Sequence, residues 1–294
     1  MKLNSILTDH QINQWRDQGY VLIQLPEAIW SKIHKKAHEI FPQTRPDNFV
    51  DTFGQQPFYG PKTTFPTLID EIDQLPINEE LIKIFQVLLK TEDIRLTQCE
   101  LWAKYRNNDK EIKDEKNNSD QRMHMDYGNN ILTAPSKWDN PDAAAAIIYY
   151  DDSQICSGGT KVVPRNGKND PAYKYPEAYL NQVGYSNYFH EKGGYPHFYV
   201  NRTHAENYFR NNYPKIYEFR QKLYEREIQA TFRPGTMLLY RLDIWHRGAP
   251  INPNCSRRGN RVFYSRPLIF EMIEVKKRSV LHPLKNFYFF ENAV

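Results

Sequence analysis

The sequence predicts a mainly β protein, an antiparallel sandwich or barrel flanked by helices. Short strand candidates recur at 122–127, 143–152, 160–164, 236–246 and 261–273, most of them bounded by Gly, Pro or Asn/Asp clusters. Few helical patterns lie between them, and that spacing points to antiparallel layers closed around one core. A length of 294 residues suits one elaborated sheet-based domain, so a single domain over 1–294 is expected.

The amino-terminal stretch LTDHQINQWRDQGYVLI places Thr8 and Gln11 at capping-box spacing, puts Ile12 and Trp15 on one face and stops at Gly19 before an apolar run. It reads as helix, glycine stop, strand. Helical patterns near 28–41 and 79–89 surround a Pro/Gly-rich loop at 52–67, so residues 1–95 are expected to form a helical layer packed on the sheet region. In LTQCELWAKYR, Gln98, Glu100, Trp102 and Lys104 share one strand face while Thr97, Cys99, Leu101 and Ala103 share the other. The polar row faces either solvent or a polar cavity. Residues 107–121, NNDKEIKDEKNNSDQ, are almost free of apolar side chains and read as a solvated or disordered loop. The sheet core is expected over 96–273, with a tyrosine-rich insertion at 165–232 that carries a helix at 205–227 interrupted near Pro214. That insertion is either a lid over a cavity mouth or a satellite core under a long excursion. Residues 274–294 read as a carboxy-terminal extension, and no internal repeat is present.

Composition narrows the function classes. The 39 basic and 35 acidic residues nearly cancel, and no basic block or aromatic-basic interleaving appears, so a nucleic-acid partner is not expected. Cys99, Cys156 and Cys255 lack CxxC spacing, which gives neither a disulfide framework nor a cysteine zinc site. The amino terminus lacks a signal-peptide core and no apolar run approaches a membrane span, so a soluble, cytoplasmic protein with no membrane partner is expected. The Asn-x-Ser/Thr triplets at Asn117, Asn201 and Asn254 then read as chance.

The chemistry-bearing stretch is RMHMDYGNN, residues 122–130. If it is extended, His124 and Asp126 point to the same face and converge on one point. Alone, such a pair is as well explained by a surface turn with a stray histidine. His246 ends TMLLYRLDIWH, a strand launched by Pro234-Gly235 and stopped by Gly248 and Pro250. Two histidines and a carboxylate on one face of a metal leave the opposite positions open, the arrangement of non-haem Fe(II) oxygenases. The same donors can hold zinc for hydrolysis. Arg257 and Arg261 follow His246 closely, and either guanidinium can take a carboxylate through two parallel hydrogen bonds. Strand alternation separates Arg258 from both but does not choose between them.

Taken in order, six segments resemble the phytanoyl-CoA dioxygenase-like Fe(II)/2-oxoglutarate oxygenases: LTDHQINQWRDQGYVLI, QCELWAK, HMD at 124–126, GGTKVVP, PGTMLLY, and HRGAPINPN leading to Arg257. The resemblance implies a double-stranded β-helix (jelly roll), with His124, Asp126 and His246 as iron ligands. It further implies that Arg257 holds the far carboxylate of 2-oxoglutarate, that Lys104 contacts this co-substrate, and that Gln98 faces the site. The implied reaction consumes O2 and 2-oxoglutarate, releases succinate and CO2, and hydroxylates an unactivated C–H of a small-molecule substrate. Halogenating relatives replace the carboxylate ligand with a small residue, so Asp126 implies hydroxylation or a related desaturation or ring closure. A zinc-type hydrolase and a non-catalytic jelly-roll binding protein are the rival expectations. Departures occur where Pro164-Arg165-Asn166-Gly167 stands for the family's Pro-Gly-Ser-His, in the long charged loop before HMD, in the 165–232 insertion, and in the tail from Val275. They bear on the substrate more than on the chemistry.

Overall fold

The computed structural model describes residues 7–43, 45–47, 63–106, 117, 119–126, 138–174, 201–251 and 268–277. Helix α1 (Asp9–Gln18) opens on the expected capping box: the Thr8 hydroxyl accepts from Gln11 N at 3.2 Å, and the Gln11 side chain accepts from Thr8 N at 2.9 Å. It ends at Gly19, whose φ of +91° suits glycine, and runs into β1 (Tyr20–Gln24). Helices α2 (Glu27–Ile40), α3 (Asp70–Asp73) and α4 (Glu79–Leu89) complete a helical layer, α4 being capped by Asn78. Strands β2 (Ile94–Lys104) and β3 (Ala143–Tyr149) follow, then α5 (Ser153–Cys156) and β4 (Thr160–Val162). After a short turn at Pro171–Tyr173 come α6 (Arg202–Asn212), α7 (Pro214–Arg226) and β5 (Ile228–Gln229). The chain closes on β6 (Thr236–Arg241), β7 (His246–Gly248) and β8 (Leu268–Lys277).

These strands form two antiparallel sheets, ordered β1-β6-β3-β8-β2 and β5-β4-β7. The period of two in β6 divides the interior. Met237 and Leu239 pack with Trp15, Phe85 and Leu88 of the helical layer, whereas Leu238 and Tyr240 pack with Val162 and Trp245 beside the smaller sheet. Each such buried Leu, Val or Met contributes roughly 1.5–3 kcal/mol. The architecture is the expected jelly-roll class, mainly β with flanking helices. On β2, Cys99, Leu101 and Ala103 enter the helix-side core, while Glu100, Trp102 and Lys104 on the opposite face are also buried. The polar row therefore faces protein interior, not solvent.

Three elements depart from expectation. Residues 122–126 form no strand; isolated bridges join Gln121, just before them, to Asn201 and His124 to His246. The expected strand 236–246 breaks after Arg241, where Ile244 N donates to Arg241 O and the chain turns out of the larger sheet into β7 of the smaller one. The turn is built on charge: Arg241 makes two hydrogen bonds to Asp243, at 2.7 and 2.6 Å, and lies over the Trp138 ring at 3.7 Å. Strand β8 continues to Lys277, past the expected start of the extension at 274, because Lys276 and Lys277 still pair with Arg95 and Ile94. The expected strand start at 261 lies outside the described residues, as do Cys255, most of the 107–121 loop and the middle of the insertion.

What is described of the insertion is packed. Pro214 opens α7, where its missing N–H is harmless, and so separates α6 from α7. Ala205 and Phe209 form a small core with Tyr208, Tyr213, Ile216 and Tyr217. Among the described residues no helix is long and apolar enough to cross a membrane.

The Arg241–Asp243 pair is almost fully buried, at 1% and 0% side-chain exposure. Asp243→Ala should cost about 3–5 kcal/mol in urea unfolding, because it strands a buried guanidinium, and adding Arg241→Met should recover part of that loss. A cost within experimental error would show that the turn does not rest on this pair.

Candidate metal centre

The site is assembled by backbone pairing. His124 N donates to His246 O and His246 N to His124 O, both at 2.9 Å, and Asp126 N donates to Leu242 O at 3.0 Å. Along 122–126 the side chains alternate: Met123 and Met125 enter the core beside the smaller sheet, and His124 and Asp126 point the other way. The result brings together three residues distant in sequence. Asp126 Oδ1 lies 3.6 Å from His124 Nε2, and Oδ2 lies 3.3 Å from His246 Nε2. The imidazole centroids are 4.4 Å apart.

The hydrogen bonds of the far ring nitrogens decide which atoms face inward. His124 Nδ1 lies 2.9 Å from Arg122 O, and His246 Nδ1 lies 3.0 Å from Ile244 O. A carbonyl only accepts, so each Nδ1 carries a proton and each ring turns Nε2 toward Asp126. Three electron-pair donors thus converge without a cation, which is the donor set a divalent metal requires. The electrostatics agree. Burial, reinforced by His246, pushes His124 down to about 3, so it stays neutral. Burial works to raise Asp126, but His246 and His124 overcome it and hold the carboxyl down to about 2. Burial opposes charge on His246 too, yet Asp126 raises its pKa. In the metal-free protein, His246 is therefore the ligand that takes up a proton.

The surroundings hold these groups in place. Tyr240, in register with Ala145, directs its hydroxyl at Asp126 Oδ2 from 3.5 Å, and burial with the Asp126 charge keeps that phenol protonated. The helical hairpin α6–α7 clamps the peptide groups of Met123: Met123 N donates to Tyr224 Oη at 2.9 Å, and Arg220 donates to Met123 O at 2.8 Å. Glu206 accepts from both Arg220 and Tyr224. Arg247, next to His246, pairs with Glu227 and with Asp120.

Of the other expected site residues, Lys104 is buried and donates from Nζ to Ala249 O at 2.5 Å, three residues past His246. Gln98 pairs with Glu274, which pairs with Ala145, which pairs with Tyr240, so Gln98 belongs to the strand row that faces the site. Arg257 and Arg261 lie outside the described residues. Sequence reasoning missed Arg122. It alternates with Met123 onto the face of His124, is buried at 8% exposure, and its Nε has no hydrogen-bond partner. Burial and the neighbouring Arg220 lower its pKa to about 10, which leaves it charged at neutral pH. The alternation in Arg122-Met123-His124-Met125-Asp126 was the available signal.

No protein-family model matches the chain, and no curated protein sequence does. Solved structures share its fold. EvdO2 from Micromonospora carbonacea var. aurantiaca superposes with a TM-score of 0.56 at 9% identity, over 94% of this chain and 94% of that one. EctD from S. alaskensis, solved with 2-oxoglutarate and 5-hydroxyectoine, gives 0.54 at 13% identity over 95% of this chain and 79% of its own. SnoK, a non-heme alpha ketoglutarate dependent carbocyclase from nogalamycin biosynthesis, gives 0.53 at 12% identity over 92% and 84%.

His124→Ala, Asp126→Ala or His246→Ala should each abolish most Fe(II) binding by the purified chain, and full occupancy in all three would mean that the metal lies elsewhere. Because the pKa of His246 is raised while those of His124 and Asp126 are lowered, Fe(II) affinity should fall on acidification as His246 protonates, with the other two candidate ligands unprotonated until far lower pH. Arg220→Met should weaken Fe(II) binding by about 10- to 100-fold, through the loosened Met123 peptides, while the three ligands remain intact.

Proposed function

We propose that the chain is an Fe(II)- and 2-oxoglutarate-dependent dioxygenase that hydroxylates an unactivated C–H of a small-molecule substrate. The observation that carries this reading is the convergence of His124 Nε2, His246 Nε2 and the Asp126 carboxylate, with both imidazoles pinned at Nδ1 so that only Nε2 can bind a metal. Bound there, iron(II) with 2-oxoglutarate would supply O2 activation, releasing succinate and CO2 and oxidising the substrate.

The chain's own residues have distinct tasks. His124, Asp126 and His246 would hold the ion, and with three protein ligands it would stay open to co-substrate and O2. Tyr240 restrains Asp126, and Lys104 brings positive charge to the wall beside β7. Arg257 takes the far carboxylate of 2-oxoglutarate, as the sequence resemblance implies. Arg122, a buried cation whose Nε is left without an acceptor, is suited to an anionic group on the substrate, since a buried charge is favourable only when paired. Two neighbours in fold support the chemistry by what they carry or catalyse: EctD was solved with 2-oxoglutarate and 5-hydroxyectoine, and SnoK is an alpha ketoglutarate dependent carbocyclase.

The test is succinate production from 2-oxoglutarate by the iron-loaded chain, dependent on O2 and stimulated by a metabolite extract that gains one oxygen atom. Zinc-dependent hydrolysis without keto-acid turnover would replace the proposal with a hydrolase, and neither activity would leave a binding protein. Arg257→Ala should raise the Michaelis constant for 2-oxoglutarate about thirtyfold to several thousandfold with iron binding unchanged, and Arg261→Ala should do far less. Arg122→Leu should leave that constant within a few-fold; a rise as large as that expected for Arg257→Ala would move the co-substrate carboxylate to Arg122.

A further inference from the structure

A second cluster of metal-binding side chains lies on α2. His34 and His38 are one turn apart and project from the same helix face. Their Nε2 atoms approach to 3.0 Å, with ring planes at 90° and centroids 4.5 Å apart. Asp151, two residues past the end of β3, places Oδ1 3.6 Å from His38 Nε2. One ligand atom from each of the three falls within 4.8 Å of the others. The cluster is only partly buried, with side-chain exposures of 20% for His38 and 10% for Asp151, so an ion can enter from solvent.

This cluster is separate from the centre at His124. Ala145 of β3 is in register with Tyr240, which points at Asp126, and the strand runs on from Ala145 through Tyr149 before Asp151. Four strand residues already span about 13 Å.

We propose that His34, His38 and Asp151 form a second metal site that takes Zn(II) and fastens α2 to the end of β3. A tetrahedral zinc with bonds of 2.0–2.1 Å to nitrogen holds its ligand atoms roughly 3.3 Å apart. Two of the three contacts, at 3.0 and 3.6 Å, straddle that value and the third pair of ligand atoms lies within 4.8 Å, so side-chain rotations bring the three into coordination. Two imidazole nitrogens at 3.0 Å share one proton. A cation replacing that proton is neutralised in part by Asp151. The Gln43 side-chain amide lies 2.8 Å from His38 Nδ1. With His38 Nε2 on the metal, Nδ1 donates to the Gln43 oxygen after an amide flip, giving the outer partner that metal-bound histidines use. Two imidazoles and one carboxylate favour zinc over the oxygen-seeking Mg²⁺ and Ca²⁺, with water as fourth ligand.

A role follows from position. Trp30, on the same helix, packs edge-on against His34 and covers Gly235, the φ +82° turn that launches β6. A Cβ at Gly235 would come within 2.2 Å of Trp30, so the helix and this turn are in direct contact. An ion held between α2 and Asp151 locks the helical layer to the sheet end there, and because the ligands assemble only in the folded chain it stabilises the fold.

The experiment uses the full chain with affinity tag removed, stripped with chelator and carrying His124→Ala and His246→Ala, so that the first centre is disabled. Calorimetric titration with zinc chloride should give about one zinc per chain and a melting temperature raised by several degrees. His38→Gln or Asp151→Asn in that background should lower the affinity at least about tenfold and remove the thermal shift. No zinc uptake by the disabled chain, or uptake unchanged by His38→Gln, would overturn the proposal and leave a hydrogen-bonded histidine pair. Should the multiple variants fail to fold, the otherwise unaltered chain provides the same readout, with zinc stoichiometry falling by about one on His38→Gln alone. Oxygenase activity enters none of these measurements, so the outcome is independent of the proposed function.

Discussion

The reciprocal backbone hydrogen bonds between His124 and His246 are the constraint on which the site depends. The segment that carries His124 and Asp126 belongs to no strand, so nothing but specific contacts can fix its register. One edge is held by chain from β7 and the turn before it: Gln121 N donates to Gly248 O, the Gln121 side chain accepts from Gly248 N, and Asp126 N donates to Leu242 O. The other edge is held by side chains, with Tyr224 and Arg220 bonded to the N–H and C=O of Met123. Buried backbone polar groups must be paired. Here the pairing that a second strand would supply comes from a helical hairpin, which makes part of the tyrosine-rich insertion a wall of the metal centre.

Ion pairs are dense around these segments. Arg220 lies against Glu206, Arg247 against Glu227 and Asp120, Arg226 against Asp170, and Arg241 against Asp243. Each is a guanidinium answered by a carboxylate, as burial demands. These pairs flank His124, His246 and the turn between β6 and β7, so they fix the directions of the ligand-bearing segments more than they add to stability. Against that pattern Arg122 stands out, a buried guanidinium with an unanswered Nε on the face of His124.

Much of this was legible in sequence wherever the physics is local. The capping box at Thr8, the stop at Gly19 and the break at Pro214 each depend on a few neighbouring residues, and each lies where the pattern placed it. The period of two that aligns His124 with Asp126 was local as well. What escaped is long-range. Nothing in TMLLYRLDIWH announces that Arg241 and Asp243 will turn the chain from one sheet to the other, because that turn is stabilised by Trp138 and by burial. The polar row of β2 could not be assigned to an interior without knowing what covers it. The helical spacing of His34 and His38 was likewise present in sequence, but their relation to Asp151 exists only after α2 has docked on the sheet.

The two histidine-carboxylate clusters are built from the same donor types yet differ in how they hold themselves without an ion. At the first, every imidazole Nδ1 is committed to a backbone carbonyl, so Nε2 has no freedom to turn away, and the only relief from converging lone pairs is a proton on His246 shared with Asp126. That arrangement keeps the ligands in place before metal arrives, and the geometry is prepaid by folding and not by binding. At the second, His38 bonds to a side-chain amide that can flip, and the two rings relieve each other by sharing a proton. Rigidity at one and adaptability at the other follow from whether the outer partner is backbone or side chain.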